Sequence, residues 1–277
     1  MTTLRIIAWN IAEGRHGGDA AQALTLSRIA RLLHDSAADV VLLNEVCIWD
    51  PWHMNGVNQV TAIAQAGGFA HVRWERTATM PLRGLKCVAV LSRHPLLSAQ
   101  RIEHSAYADG GGYATLHVTA RIDGQPHHFF STRITAYDGA EHARSCGQLR
   151  DAIAAIPGHE FVAVGGDLNT GYDRWDASGE PTRNHVPLQF GQLLIGARLG
   201  HVLGGMGWAM PSPDDHILIR GPYGVVRAER RAPAAAHPAV SDHDWVMAEL
   251  ATLAHVPAPP RPGATADPAP WLSLLLG

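Results

Sequence analysis

Short apolar runs, several with alternating polar positions, recur along this chain and are separated by turn-forming residues. Such runs are typical of β-strands, and an unbroken apolar run indicates a strand that is buried on both faces. The pattern predicts strands at about residues 4–11, 39–46, 87–92, 115–122, 127–134, 161–167, 216–220 and 244–250.

Three other segments place apolar residues three and four positions apart, as on one face of an α-helix. The residues are Leu26, Ile29, Ala30 and Leu33, then Val60, Ile63 and Ala64, then Cys146, Leu149, Ile153 and Ile156. Gly67 and Gly68 predict the end of the second helix, because glycine adopts the left-handed conformation that closes many helices.

The order of these elements indicates the fold class. Strands and helices alternate at first, but several consecutive strands follow, which excludes a purely alternating parallel sheet. We therefore expect an α/β protein with two mixed β-sheets packed face to face and helices outside, in one domain over residues 1–253. Segment 171–214 predicts a long loop with a short helix near 188–196, and the Pro- and Ala-rich residues 254–277 predict an irregular tail.

Composition narrows the range of partners. The 277 residues carry a formal net charge of −3, with a pI near 6.6. Long nucleic acid is therefore possible but not favoured as a partner, since no basic surface is indicated. No apolar run predicts a membrane span and the first residues lack a secretory-signal pattern, so we expect a cytoplasmic protein. Three widely spaced cysteines predict buried thiols in a reducing compartment rather than a disulfide framework.

Oxygen-bearing side chains stand at the ends of several predicted strands. They are Asn10, Glu45, Asp167, Asn169, Asp215 and Asp242, and His243 follows the last of them. A strand end lets a rigid scaffold hold a polar group at a cleft, and hard divalent cations prefer oxygen ligands. The set predicts a hydrolytic site that uses a divalent metal ion.

The motifs around these residues resemble the endonuclease/exonuclease/phosphatase superfamily, the family of DNase I, and the chain resembles a divergent bacterial-type member of it. The resemblance spans residues 4–250, and although each motif alone is weak, the motifs follow the family's order. They are AWNI with Asn10, LLNE with Glu45, VAVLSRHP from Val88, GGDLN with Asp167 and Asn169, DDHILIR with Asp215, and SDH with Asp242 and His243. The resemblance implies the family's fold, a four-layer α/β sandwich (DNase I-like).

The resemblance also implies a metal site and a reaction. Glu45 is the first choice of ligand for Mg²⁺ (or Mn²⁺), with Asn10 beside it and Asp242 as a further ligand, directly or through water. Hydrolysis of a phosphoester requires a water aimed in line with the leaving oxygen and neutralisation of charge on the phosphate.

Four further residues resemble the family's catalytic groups. Asp167 resembles its water-orienting residue or general base, and Asn169 its donor to a phosphate oxygen. His243 resembles the histidine that contacts the scissile phosphate, and Asp215 the carboxylate that orients this ring. Asp214 precedes Asp215 directly, and we favour Asp215 because it opens the apolar segment HILI.

One position departs from the family's pattern. After GQPHHFF the family usually shows Asn-Thr-His, whereas this chain has Ser131, Thr132 and Arg133. An arginine does not donate a proton at neutral pH, but its planar guanidinium binds two phosphate oxygens at once. Arg133 is therefore either a substituted phosphate-binding group or a rim residue in a protein whose function has changed. Tyr113 follows three glycines where many relatives carry arginine, which also indicates an unusual substrate-facing surface.

Two tryptophans follow Glu45 closely, in the segment CIWDPWHMNG. Trp49 and Trp52 are predicted to line the cleft as an apolar wall for a compact ligand, and packing at the core or rim is the alternative for both. The leading hypothesis is a metal-dependent phosphoesterase acting on a small-molecule or short nucleotide-type phosphate. The competing hypotheses are metal-assisted chemistry on a non-phosphate substrate and a catalytically silent binding module.

Overall fold

The structure is a computed structural model that describes residues 3–14, 22–49, 56–80, 84–106, 112–134, 139–169, 193, 196–201, 214–231, 241 and 243–252. These ranges contain the helices α1 (Gln22–Asp35), α2 (Gln59–Gly67) and α3 (Gly139–Ala154). They also contain the strands β1 (Thr3–Asn10), β2 (Val40–Trp49), β3 (His71–Met80), β4 (Gly84–Ser92), β5 (Leu96–Ala106), β6 (Gly112–Ile122), β7 (Gln125–Arg133), β8 (Phe161–Asp167), β9 (Gly200–His201), β10 (Asp215–Arg220), β11 (Tyr223–Arg231) and β12 (Trp245–Thr252).

The strands form two six-stranded sheets. The first has the order β11-β12-β1-β2-β4-β3 and the second the order β5-β6-β7-β8-β10-β9. Each sheet contains one parallel pair, β1 with β2 and β7 with β8, and the other neighbours are antiparallel. Helix α1 connects the first parallel pair and α3 connects the second, as a parallel connection requires a crossover. Both sheets are mixed, as predicted.

Apolar side chains divide the molecule into four layers. Ile6 of β1 packs between the two sheets, whereas the next residue, Ile7, packs beneath α1 and α2. This division follows from the strand geometry, in which successive side chains point to opposite faces. A third cluster joins the outer face of the second sheet to α3 through residues such as Phe130 and Leu149. The predicted four-layer α/β sandwich is confirmed.

The eight strands predicted from the sequence are β1, β2, β4, β6, β7, β8, β10 and β12, and all are interior strands of the two sheets. The four that the sequence pattern did not predict, β3, β5, β9 and β11, are the four edge strands. The reason is physical, because an edge strand buries less of its surface and tolerates polar residues that obscure the strand pattern.

The predicted helices are also present. Helix α2 ends at Gly67, and Gly68 adopts the left-handed conformation with φ of 76°. Of the short helix predicted near 188–196, the described residues Leu193 and Gly196 are helical, and most of segment 171–214 lies outside the described ranges. The tail 254–277 lies outside them as well, so the domain boundary stays a prediction.

Two further sequence expectations concern the compartment. All three cysteines are buried and unpaired, as predicted. Within the described ranges, no helix combines the length and the apolar character needed to cross a membrane.

Candidate active site

Asn10, the last residue of β1, links three carboxylates that come from both sheets. Its backbone N–H donates a hydrogen bond to Asp215 Oδ1 at 3.0 Å. Its side-chain Nδ2 donates to Asp167 Oδ2 at 3.0 Å and to Glu45 Oε1 at 3.3 Å. The polar residues that the sequence placed at separate strand ends therefore meet at one edge of the sandwich.

His243 and Asp215 form a close pair on one side of Asn10. The ring Nδ1 of His243 lies 2.7 Å from Asp215 Oδ2, and the Asp215 side chain is 2% exposed. Ser241 fixes the backbone beside them, because its Oγ accepts the N–H of His243 at 3.1 Å and donates to the Asn10 carbonyl at 2.7 Å. Asp215 is thus the member of the Asp214–Asp215 doublet whose carboxylate orients this ring.

Asp167, the last residue of β8, is held by its backbone and its side chain. Its N–H donates to Asn44 Oδ1 at 2.8 Å, and its Oδ1 accepts the N–H of Asn169 at 3.0 Å. Asn169 Nδ2 in turn donates to the carbonyl of Ile134 at 2.6 Å. Both Asp167 and Asn169 are buried, with 2% and 4% of their surface exposed.

The two glycines before Asp167 allow the two sheets to approach closely at this edge. A Cβ on Gly165 would lie 2.6 Å from Leu42 Cδ1 of the facing sheet. A Cβ on Gly166 would collide with the Thr132 carbonyl and the Asn44 side chain, and the φ of Gly166 is +133°. Only glycine fits such a position, and the GG pair is what brings Asp167 within reach of Asn10.

Glu45 lies on the other side of Asn10, in contact with two cationic side chains. Arg133 Nη2 lies 2.6 Å from Glu45 Oε1, and Lys86 Nζ lies 2.9 Å from Glu45 Oε2. Lys86 Nζ also lies 2.6 Å from Glu13 Oε1. The guanidinium carbon of Arg133 stands 4.9 Å from the centre of the Tyr113 ring, so this arginine stacks on an aromatic face as it pairs with Glu45.

Arg133 therefore lies at the candidate site. It is the last residue of β7, directly opposite Asp167 in the parallel pairing with β8. Its side chain is 16% exposed. The structure brings Arg133 and Tyr113, the two residues that depart from the family's pattern, into contact with each other.

Backbone strain is concentrated around these residues. Seven described residues other than glycine have positive φ, and four of them lie at the candidate site: Ala12, Glu13, Glu45 and Asn169. The pairing of β2 with β4 shifts register between Leu43 and Val46, so Glu45 lies in a β-bulge. Bulges and left-handed residues redirect side chains, and they are common next to functional sites.

The two buried aspartates share one electrostatic environment. The pKa of Asp167 is raised to about 7. Burial is the main cause, and the nearby Asp215 carboxylate adds to it. Burial also raises the pKa of Asp215, although the hydrogen bond from His243 opposes that shift. Asp167 is thus able to take up a proton near neutral pH.

The surroundings of Glu45 lower its pKa instead. Burial by itself would raise its pKa, but the charges of Arg133 and Lys86 outweigh burial and lower the pKa to about 2. Burial likewise opposes the charge on Lys86, and the carboxylates of Glu45 and Glu13 outweigh it and raise the Lys86 pKa. Glu45 is therefore a permanent anion in the range of physiological pH.

The donor chemistry on this side fits a hard divalent cation. Glu45 and Glu13 offer carboxylate oxygens, and they already hold the ammonium of Lys86, a stand-in cation. Within the described residues, no three His, Cys, Asp or Glu side chains are placed to hold a metal ion together. A complete set would need the amide of Asn10 or Asp242, which lies outside the described ranges.

Two other predicted site residues need comment. Trp52 lies outside the described ranges. Trp49 ends β2 with only 3% of its surface exposed, which matches the packing alternative more closely than an exposed wall. A contact of either tryptophan with a substrate stays a prediction.

Three residues at the site were missed by the sequence reasoning. Asn44 precedes Glu45 directly in the motif LLNE, and Glu13 lies two positions after the end of AWNI. Lys86 carried a signal of another kind, because it is the only lysine in the chain.

Comparison with known proteins gives an independent view of the chain. The family model described as Endonuclease/Exonuclease/phosphatase family matches residues 7–243. A search of curated proteins finds no match.

Solved structures show the same architecture. An endonuclease/exonuclease/phosphatase from Beutenbergia cavernae DSM 12333 has 20% identity and a TM-score of 0.72, over 90% of this chain and 72% of that chain. A second one, from Bacteroides vulgatus, has 13% identity and a TM-score of 0.69, over 91% of this chain and 100% of the other. A humanized D. rerio TDP2 has 16% identity and a TM-score of 0.65, over 90% and 99%.

At these identities the structural matches establish the fold alone, whereas the family model covers most of the chain. The protein therefore belongs to the endonuclease/exonuclease/phosphatase family, whose members are generally metal-dependent phosphoesterases.

Proposed function

We propose that the protein is a divalent-metal-dependent phosphoesterase that hydrolyses a phosphodiester or phosphomonoester bond by direct attack of water. The observation that carries this proposal is the position of Asn10, which hydrogen-bonds Asp167, Asp215 and Glu45 at once. Asn10 thereby holds three carboxylates within one site. They are Asp167 as the candidate base, Asp215 as the partner of His243, and Glu45 as the candidate metal ligand.

In this proposal Asp167 orients the attacking water and accepts its proton. A general base works best when its pKa lies near the working pH, and burial raises the pKa of Asp167 to about 7. The N–H of Asn169 and the amide of Asn10 each bond one of its oxygens, so the carboxylate cannot rotate freely.

His243 is assigned the contact with the scissile phosphate. Its Nδ1 is engaged by Asp215, so the ring meets a substrate through Nε2. In its protonated form the imidazole would stabilise negative charge on phosphate or donate a proton to the leaving oxygen.

Arg133 and Asn169 are assigned to the other phosphate oxygens. The Arg133 guanidinium is fixed by Glu45 and by the face of Tyr113, which lowers the entropy lost when it binds an anion. Asn169 is held at the end of β8 through the Ile134 carbonyl.

Glu45 and Asn10 are the described residues that would hold Mg²⁺ or Mn²⁺, with Asp242 proposed as a further ligand. A bound divalent ion supplies charge neutralisation on the phosphate oxygens. The chain's own side chains carry the proposed proton transfers and orient the water and the phosphate.

The proposed substrate is a small or medium-sized organic phosphate, including short nucleotides. A net charge of −3 gives no basic surface to neutralise many phosphates in a row, as long nucleic acid requires. The cytoplasm is the proposed compartment, because the three cysteines are unpaired.

The test is an activity screen on bis(p-nitrophenyl) phosphate, p-nitrophenyl phosphate and short oligonucleotides with Mg²⁺, Mn²⁺ or EDTA. We expect metal-dependent turnover that Asp167→Asn reduces by about 10²–10⁴-fold. Asp151→Asn, an exposed aspartate on α3, is the matched control and should retain activity. Absence of turnover on every phosphoester, or full activity of Asp167→Asn, would refute the proposal.

Metal-assisted chemistry on a non-phosphate substrate is the second candidate. The observation that favours it is Arg133, which stands where the family resemblance leads us to expect histidine. The same screen separates the two candidates, because a repurposed enzyme would leave every phosphoester intact while a divalent ion still raised its thermal stability.

A further inference from the structure

The only lysine of the chain lies at the candidate active site. The chain has 22 lysine and arginine residues in total, and 21 of them are arginines. Lys86 reaches into the site from β4, and its ammonium lies 2.6 Å from Glu13 Oε1 and 2.9 Å from Glu45 Oε2. All three side chains are largely buried, with 16–17% of each exposed.

Both carboxylates are aimed at this ammonium by the backbone. Glu45 lies in the bulge of β2 with φ of 51°, and Glu13 lies in a single 3-10 turn with φ of 60°. Gln59 connects the two segments, because its Nε2 donates to the Glu13 carbonyl at 2.7 Å and its Oε1 accepts the N–H of Cys47 at 2.8 Å. The arrangement is therefore built into the fold, unlike a surface ion pair between mobile side chains.

Lysine differs from arginine in the way that matters here. An ammonium is a compact, strongly hydrated point charge, whereas a guanidinium is a broad planar fork. A hard divalent cation is also a compact charge, and it binds between carboxylate oxygens in the same way. Arg133, with its fork, contacts the other oxygen of Glu45 and leaves the space between the two carboxylates to Lys86.

We propose that Lys86 is a built-in competitor of the divalent cation: its ammonium fills the cation position between Glu13 and Glu45, and a metal ion binds there only by displacing it. The inference rests on the proposed function in that both assign a divalent cation to Glu45. It adds Glu13 as a metal ligand and Lys86 as a positioning residue that holds both carboxylates when no metal is bound.

Two consequences follow from this competition. Like charges repel, so a divalent ion must overcome Lys86 and Arg133 together, and its affinity is lower than the two carboxylates alone would give. Metal binding is also coupled to movement of the Lys86 side chain, because an ammonium and a metal ion cannot share one position.

The first experiment measures Mn²⁺ affinity by isothermal titration calorimetry, without any substrate. We expect Lys86→Met to bind Mn²⁺ at least tenfold more tightly than the unaltered chain, and Lys86→Arg, which keeps the charge, to show no such gain. Arg73→Met removes a positive charge from the exposed face of the neighbouring strand β3 and should change the affinity by less than twofold. Equal or weaker Mn²⁺ binding by Lys86→Met, or an equal gain in Lys86→Arg, would overturn the inference.

The second experiment uses the unaltered chain, so it does not depend on the folding of a variant. Reductive methylation labels amines, and a single lysine makes the ε-amine signal specific to Lys86. We expect saturating Mn²⁺ to speed the labelling of Lys86 several-fold relative to the α-amine, as measured by peptide mass spectrometry. An unchanged or slower rate under saturating Mn²⁺ would overturn the inference.

These outcomes are distinguishable from those of the activity screen. Tighter Mn²⁺ binding by Lys86→Met without phosphoester turnover would retain the inference and refute the proposed function. Metal-dependent turnover with unchanged Mn²⁺ affinity in Lys86→Met would retain the proposed function and refute the inference.

Discussion

Asp167 ends β8 and Glu45 lies in the bulge of β2, and both accept a hydrogen bond from Asn10, yet their pKa values shift in opposite directions. On the Asp167 side, burial and a second carboxylate favour the protonated acid. On the Glu45 side, burial acts in the same sense, but Arg133 and Lys86 outweigh it.

The difference shows how one site can separate two roles. Titratable groups whose environments drive their pKa values apart are suited to different tasks. A carboxylate that takes up a proton near neutral pH is suited to act as a base, and a carboxylate that stays ionised is suited to hold a cation. What surrounds the two acids, more than their residue type, sets the division.

The largest expected effect comes from removing the histidine on the Asp167 side. His243→Ala should lower kcat on phosphoesters by about 10²–10⁴-fold, the usual contribution of a positioned acid or base. His34→Ala, on the exposed face of α1, serves as the control. Circular dichroism should show both variants folded, and wild-type kcat in His243→Ala would contradict the role assigned to that side.

The next effect concerns the Glu45 side. In the presence of EDTA, Glu45→Gln should lower the free energy of unfolding by about 2–4 kcal/mol, because Arg133 and Lys86 lose their shared anion in a largely buried place. Glu249→Gln breaks a more exposed pair with Arg5 and should cost less than about 1 kcal/mol. Equal losses in urea denaturation would mean that the two cations do not depend on Glu45.

A pH titration of stability compares the two sides directly. The folded pKa of Asp167 is about 7, above the unfolded value of about 3.9, so the stabilisation from its protonated form is present at low pH. That stabilisation is lost as pH rises from about 4 through about 7, with a slope of at most about 1.4 kcal/mol per pH unit. The metal-free Asp167→Asn variant should show a smaller decline in the free energy of unfolding, because only Asp215 still has a raised pKa there, and parallel curves for the two proteins would contradict the raised pKa of Asp167.

Glu45 has the opposite linkage and provides the control for that titration. Its folded pKa of about 2 lies below the unfolded value, so its stabilisation is complete above about pH 4.3 and is lost as pH falls through about 2. Between pH 5 and 7, Glu45→Gln should therefore shift the stability curve downward without changing its slope.

The smallest effect is expected at Arg133. Arg133→His restores the residue that the family usually carries and should preserve activity on generic phosphodiesters within several-fold, or raise it, because in the proposed function either side chain would bind phosphate. Arg133→Gln removes the charge and is the matched control. Loss of activity towards every substrate in Arg133→His would make Arg133 a dedicated specificity group.

The sheets show which parts of a fold are readable from sequence. The interior strand β8 shows the clearest signal, because both its faces are buried and its sequence is almost entirely apolar. The edge strand β11 carries the sequence YGVVRAERR and leaves Val226 60% exposed, so it lacks that pattern. Charged residues on an edge protect it from pairing with other chains, and they also conceal it.

The residues of the candidate site also fall into those that the sequence reveals and those that it does not. Asn10, Glu45, Asp167, Asn169, Asp215 and His243 were identified because each stands in a motif at the end of a predicted strand, although β2 continues past Glu45 to Trp49. Lys86 is set in an apolar strand, and Glu13 follows β1 in a short turn, so neither position alone indicates chemistry. Their meeting depends on the pairing of β2 with β4 and on the bulge at Glu45.

The sequence by itself determined the family, the two mixed sheets and the set of candidate residues, because these follow from the order of motifs and from local hydrophobic patterns. Only the tertiary structure decided that Glu45 faces Arg133 and Lys86, whereas Asp167 is buried beside a second carboxylate. Those contacts join residues distant in the chain, and their strength depends on burial and on distances of a few ångströms, which a linear pattern does not encode.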